Sequence, residues 1–67
     1  MKYQIQYWLR TGELIEVLTG VYSSVLVRQS DNPQDLVTFS ETLDENYQWS
    51  ILERMPDGSL TPYVPKQ

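Results

Sequence analysis

The sequence YQIQYWL at residues 3–9 carries the clearest structural signal in the chain. One side of this segment would present Tyr3, Ile5, Tyr7 and Leu9, and the other Gln4, Gln6 and Trp8. Such period-two alternation is typical of a β-strand that buries one face and leaves the other in water. Trp8 is the exception on the wet side, so it either covers one end of the core or is exposed.

The same signal recurs along the chain between turn-forming residues. Gly12 and Gly20 bound a predicted return strand at 13–19, and a third strand is predicted at 21–29. Further β-prone segments occupy 36–39 and 47–54, and the sequence MPDG at 55–58 predicts a tight turn into a last strand at 59–64. Together these segments predict an all-β fold: a small antiparallel meander of five to six strands, as a sheet or a small barrel.

Two segments also fit helices, which leaves an α+β fold as the alternative, with one helix packed on an antiparallel sheet. Apolar residues recur at helical spacing, interrupted by Gly20, at Leu14, Val17, Leu18, Val21 and Val25. Asn32 and Pro33 would cap a second helix running to about Glu45, with Asp35 in its first turn. We prefer strands because β-branched and aromatic residues are frequent and alanine is absent. Residues 12–19 and 33–45 stay open between helix and strand.

Length and composition limit the kind of protein further. Sixty-seven residues predict a single domain, assigned to 1–64, with a short polar tail at 65–67. Neither cysteine nor histidine is present, which argues against a disulfide scaffold and a zinc site. The strand pattern starts almost at Met1, and the longest apolar runs are three residues. We therefore expect no membrane contact and a cytoplasmic location.

Catalytic chemistry is poorly represented in the sequence. Histidine is the usual general base near neutral pH and cysteine the strongest nucleophile, and both are missing. The segment DNPQD at 31–35 has oxygen ligands but lacks the glycine and the distal glutamate of a calcium loop. We expect no enzyme activity, no metal, no cofactor and no small-molecule substrate. The net charge of −4 argues against direct nucleic-acid binding, because affinity for phosphate comes mainly from Lys and Arg.

The acidity of the chain is local. Six of the nine acidic residues lie between Arg28 and Arg54, and no Lys or Arg lies among them. The simpler interpretation is a pair of solvated loops that keep a small protein soluble. The functional interpretation is a patch that binds a basic surface, formed by Asp31, Asp35, Glu41, Asp44 and Glu45. The chain would then be an acidic inhibitor or nucleic-acid mimic that occupies the basic site of a nucleic-acid-handling protein.

The eight aromatic residues exceed what a core of this size can bury. We expect five of them inside: Tyr3, Tyr7, Phe39, Tyr47 and Trp49. Three further apolar residues lie on the sides of their strands that point away from this interior: Trp8, Tyr22 and Leu26. If the first and third strands are neighbours, these residues would form either an exposed apolar patch or the second side of a thin core. Its rim would include Arg10 and Arg28, and large aromatics with arginine are enriched at protein interfaces. The leading prediction is a non-catalytic protein-interaction module or accessory protein that binds another protein or a second copy of itself.

Overall fold

The computed structural model describes residues 1–64, and the polar tail predicted at 65–67 lies outside the described residues. Its elements are β1 (Tyr3–Leu9), β2 (Ile15–Leu18), β3 (Val21–Ser23), β4 (Leu26–Ser30), α1 (Pro33–Glu41), β5 (Tyr47–Arg54) and β6 (Leu60–Pro62). Four strands form an antiparallel sheet in the order β4-β1-β5-β6, and β2 and β3 form a separate antiparallel hairpin. The predicted antiparallel sheet is confirmed, and the alternative with one helix packed on it describes the fold.

β1 occupies the centre of the sheet because it pairs with a strand on each side. It pairs with β4 over residues 3–7 and with β5 over residues 3–9. Ile5 is completely buried and lies opposite Ile51 of β5, as the alternation predicted. Gln4 is also buried, although it lies on the side predicted to be wet, between its register partners Gln29 and Leu52 on the neighbouring strands. The central position of β1 explains why its pattern is the clearest in the sequence.

α1 occupies the segment for which a strand was predicted at 36–39, and that prediction is wrong. The side chain of Asn32 caps the helix by accepting a hydrogen bond from the backbone N–H of Gln34, at 3.0 Å. Pro33 follows at the start of the helix, where its missing N–H breaks no intrahelical bond. Leu36 is then completely buried against the sheet. The cap and this burial outweigh the β propensity of the segment, and the helix ends four residues before the helical alternative predicted.

The core lies between α1 and the sheet face that bears Ile5. Its fully buried apolar residues are Ile5, Leu36 and Ile51, and partly buried residues pack around them: Tyr3, Tyr7, Val37, Phe39, Leu43 and Tyr63. Edge-on aromatic contacts add to this packing, with ring centroids 5.1 Å apart for Tyr7 and Phe39 and 5.3 Å apart for Tyr3 and Tyr63. A core this small gives the domain little stability to spare.

Four of the five aromatic residues predicted inside the protein are at least half-buried there, namely Tyr3, Tyr7, Phe39 and Tyr47. The prediction is wrong for Trp49, whose side chain is 46% exposed. Trp49 lies next to Tyr7, its register partner on the neighbouring strand β1. On the other side of β5, β6 pairs with residues 52–54. β6 therefore stops before it reaches Trp49, and the ring stays open to water.

The strand predicted at 21–29 is two strands, β3 and β4. The chain bends between them at Ser24 and Val25, where the Ser23 hydroxyl donates to the carbonyl of Val25 and accepts from its N–H. β3 stays in the hairpin, whereas β4 enters the main sheet. Val25 lies in this bend, and Val27 lies opposite Gln6 on the sheet face turned away from Ile5; both side chains are exposed.

Candidate interaction surface

β2, β3 and their turn form a ribbon over residues 15–23, which we call the arm. Packing links α1 to β1, β4 and β5, whereas within residues 1–64 hardly any contact links the arm to the sheet or the helix. The radius of gyration is 12.7 Å. A compact domain of this length would have a radius of gyration of about 11 Å. The arm therefore projects from the body of the protein.

The arm carries large apolar side chains that its own chain leaves uncovered. Leu18 is 70% exposed, Tyr22 58% and Val21 49%. The strand register places Leu18 and Val21 on one face of the ribbon with Ile15, and Tyr22 on the other face opposite Glu16. Monomeric soluble proteins rarely group exposed apolar side chains in this way, and such groups mark contact surfaces.

A bulge in β2 makes this apolar face possible. The register between the two strands shifts between Glu16 and Leu18, so Val17 is an extra residue on its strand. Ile15 and Leu18, three positions apart, consequently lie on the same face of the ribbon.

The tip of the arm is built by backbone geometry that suits glycine. Gly20 has a φ of 77°, in the left-handed region that β-branched and bulky residues avoid. Its N–H donates a hydrogen bond to the carboxylate of Glu16 at 3.1 Å. The helical alternative for this segment is wrong because the chain reverses here as a strand turn.

The sheet face turned away from α1, which we call the open face, carries no acidic side chain among residues 1–64. From the strand register it consists of Gln4, Gln6, Trp8, Val27, Gln29, Gln48, Ser50, Leu52, Arg54, Leu60 and Pro62. Amides and apolar groups dominate, although the whole chain has a net charge of −4. The cores of protein interfaces are likewise depleted in charged residues. The open face is thus a side of an acidic protein that, within the described part of the chain, carries no negative charge and one arginine, Arg54.

A shallow cleft of about 410 Å³ lies at one end of the open face, beside the two chain segments that lead into and out of the arm. Its lining residues are Gln6, Trp8, Gly12, Ser24 and Val25. The indole of Trp8 is held at this end of the sheet by a hydrogen bond from its Nε1 to the side-chain oxygen of Gln48, at 3.1 Å. Trp8 and Val25 give the cleft an apolar wall. The cleft is thus lined by the open face and by Gly12, Ser24 and Val25, which flank the arm in the chain.

The predicted patch of Trp8, Tyr22 and Leu26 does not lie on a single face. Leu26 pairs with Tyr7 and so lies on the sheet face that α1 covers, whereas Trp8 lies on the open face. Tyr22 is on the arm. The prediction is wrong in its geometry for two reasons: the register pairs Leu26 with Tyr7, on the opposite face from Trp8, and the strand predicted at 21–29 is broken, which leaves Tyr22 on the arm. A role for these residues in binding a partner stays a prediction.

The two arginines predicted at the rim of that patch make contacts elsewhere. The guanidinium carbon of Arg28 lies 4.8 Å from the ring centroid of Phe39 in α1. A cation over an aromatic ring at an exposed site stabilises by about 0.5–1 kcal/mol. The Nε of Arg10 donates to the backbone carbonyl of Glu45 at 2.6 Å, which joins the end of β1 to the loop before β5. Both arginines support the body of the domain.

The predicted acidic residues are divided between the two ends of α1. Asp31 and Asp35 lie at its start, where Asp31 accepts from the backbone N–H of Lys2 and Asp35 from the hydroxyl of Ser30. The others lie at its end: Glu41, Asp44 and Glu45. A helix of nine residues separates the two groups by about 13 Å. This arrangement offers less support for a nucleic-acid mimic than one dense array would.

Sequence reasoning missed the arm as a candidate site. Tyr22 was named as a binding residue, but the other apolar residues of the arm were read as parts of a return strand or a helical stripe, because they were judged one segment at a time. The available signal was the segment ELIEVL at 13–18, which places apolar residues at both odd and even positions. A strand of that kind needs cover on both faces, and a two-stranded ribbon beyond the edge of a small domain provides none.

Comparisons do not add to this description. No protein family, curated protein or solved structure matches the chain. Within residues 1–64 no helix has the length and hydropathy needed to cross a lipid bilayer. In the same residues no three His, Cys, Asp or Glu side chains are grouped as metal ligands. The function is therefore inferred from the arm and the open face.

Proposed function

We propose that this chain is a small, non-catalytic protein-interaction module that binds another protein, or a second copy of itself, through the arm and the adjoining open face. The exposure of Leu18, Val21 and Tyr22 on a projecting ribbon is the observation that carries the proposal. Complete burial of one such aliphatic side chain stabilises a complex by about 1.5–3 kcal/mol. We also propose a cytoplasmic location, because small domains of oxidising compartments commonly depend on disulfides and this chain has no cysteine.

The strand edges support the same proposal. β4 has β1 as its one neighbour within residues 1–64, so its outer edge over Leu26–Ser30 leaves backbone N–H and C=O groups without strand partners. The outer edges of β2 and β3 are free in the same sense among these residues. An extended segment of a partner adds readily to such an edge. Apolar side chains and free edges thus occur on the same part of the molecule.

The test compares the retention of binding partners by matched variants. Tagged protein is mixed with a lysate of its source organism and with untagged copies of the chain, at low and at high ionic strength. We expect Leu18→Lys to abolish retention, because it places a charge in the apolar contact without disturbing the core. Thr38→Lys, at an exposed position of α1, adds the same charge and should retain the partner.

Ionic strength separates this proposal from the acidic mimic. Salt screens charges but affects apolar contacts little, so retention through the arm should be similar at both salt concentrations. Retention that survives Leu18→Lys, but disappears on reversal of Asp44 and Glu45 to Lys, would contradict the proposal and favour the mimic.

A further inference from the structure

The open face has the chemistry needed to receive the arm of a second copy. Building on the proposed function, we propose that the protein is a two-fold symmetric homodimer in which the arm of each copy lies on the open face of the other. Leu18 of one copy would then occupy the cleft beside Trp8 of the other. In a two-fold arrangement each of these contacts is made twice, so even a small contact surface contributes twice to the stability of the dimer.

Charge favours this contact over others between two copies. Each chain carries a net charge of −4, and six of its nine acidic residues lie between Arg28 and Arg54, so contacts between copies through that segment would bring carboxylates together. The open face has no acidic side chain among residues 1–64; from the strand register it consists of amides, apolar groups, the hydroxyl of Ser50 and the guanidinium of Arg54. The arm face with Leu18 and Val21 is also free of acidic residues in the described structure, because Glu16 lies on the opposite face. Two acidic copies can therefore meet at these surfaces without facing carboxylates.

The surface area of the chain also fits a missing partner. The accessible area is 4971 Å². A folded monomer of 7.9 kDa exposes about 4,400 Å², so this chain exposes roughly 500 Å² more than expected. A standard interface buries about 800 Å² on each partner. The excess is a large part of that area, and the exposed side chains of Leu18, Val21 and Tyr22 on the arm contribute to it.

The size of the core provides a further reason for a dimer. Among residues 1–64, complete burial of apolar side chains is limited to Ile5, Leu36 and Ile51. Domains this small commonly gain stability from disulfides, metals or association, and a chain without cysteine cannot use the first. Docking of the arm would cover the apolar wall of the cleft formed by Trp8 and Val25, and so extend the core across the two-fold axis.

Sedimentation equilibrium of the pure protein tests the dimer. We expect wild type to sediment as a dimer, and Leu18→Lys to raise the dimer dissociation constant by about 100-fold, since each of the two equivalent contacts contributes roughly tenfold. The substitution makes each copy less acidic, so the loss cannot be explained by added repulsion between negative chains. Thr38→Lys changes the charge equally and should leave the dissociation constant unchanged.

Engineered cysteines test the arrangement, and they are unique because the natural chain has none. A mixture of Leu18→Cys and Gln6→Cys chains should form a disulfide between unlike copies on oxidation. Leu18→Cys mixed with Thr38→Cys should form few such links. Preferential linkage of Leu18→Cys to its own kind would instead show contact between arms, and would overturn the docking of an arm on an open face.

The outcomes distinguish this inference from the proposed function. Pure protein that stays monomeric, while Leu18→Lys still loses a partner from lysate, would overturn the homodimer and leave the interaction module intact. A dimer that is insensitive to Leu18→Lys would also refute docking through the arm. If no complex, in lysate or in pure form, depends on Leu18, both proposals fail.

Discussion

Leu36 holds α1 on the sheet, and its replacement measures how much the small core contributes. Its side chain is completely buried, and truncation of a buried leucine to alanine costs about 2–5 kcal/mol. A chain of 67 residues has a free energy of unfolding of roughly 3–10 kcal/mol, at about 0.05–0.15 kcal/mol per residue. Leu36→Ala should therefore remove about half of the stability. Urea denaturation followed by tryptophan fluorescence and far-ultraviolet circular dichroism would measure the loss.

The expected shift in the urea midpoint is large enough to distinguish a substitution in the core from one on the surface. With a urea dependence of about 1 kcal/mol per M for a domain this small, the midpoint should fall by about 2 M or more. Ile51→Val, a milder change in the same core, should cost about 0.5–1.5 kcal/mol and stays measurable if Leu36→Ala unfolds the protein. Leu14→Ala is the control, because Leu14 is 64% exposed and its loss should cost under about 0.5 kcal/mol. Equal shifts for Leu14→Ala and Leu36→Ala would refute the division into a buried core and an uncovered segment.

Three further predictions concern the helix cap and two turns. Asn32→Ala should lower the free energy of unfolding by about 1 kcal/mol in urea, while Asn32→Ser keeps most of it; an unchanged midpoint for Asn32→Ala would show that the cap to Gln34 is unimportant. Gly20→Ala should speed amide hydrogen exchange in the arm alone: a Cβ at this position meets no atom within 4 Å, but a φ of 77° is strained for alanine. Gly20→Asn should have a smaller effect, and faster exchange in the main sheet as well would contradict this prediction. Hydrogen bonds from the hydroxyl and N–H of Ser59 lower the pKa of Asp57 below its ordinary value of 3.8, so the turn gains stability above that pH and loses it as pH falls through the lowered pKa. In a carboxyl titration by nuclear magnetic resonance, Ser59→Ala should raise the pKa of Asp57, and no change would remove the hydroxyl as its cause.

Local pattern predicted the parts of the fold that depend on local chemistry. β1 was predicted with its observed bounds because a central strand of a sheet with one buried core face shows clean alternation. The last turn was predicted from the sequence MPDG at 55–58, and Gly58 does take a positive φ there. The helix was predicted only as an alternative. The cap at Asn32 favoured a helix, whereas the β propensity of Leu36, Val37 and Phe39 favoured a strand. Propensity was overridden by burial of Leu36 on a sheet that the local sequence does not reveal.

The interaction surface depended on long-range facts that the sequence leaves open. Alternation shows which side chains share a face of a strand, but not which face the helix will cover. Leu26 and Trp8 were consequently placed together, although α1 covers one of them and not the other. The arm could not be predicted for a related reason. Apolar residues at positions such as Leu18 and Val21 look the same in a core and on an uncovered ribbon.

The place of β1 in the sheet has a consequence for synthesis of the protein. Its partner residues in β5 lie 38 to 50 residues later in the chain, from Leu9 with Tyr47 to Tyr3 with Glu53, so β1 leaves the ribosome before that partner does. At about 5–20 residues per second, this delay is between roughly 2 and 10 s. During that time the segment YQIQYWL, β-prone and uncharged, is available to pair with the same segment of another nascent chain. Neighbouring ribosomes on one messenger would thus be the setting in which this protein is most exposed to misassembly.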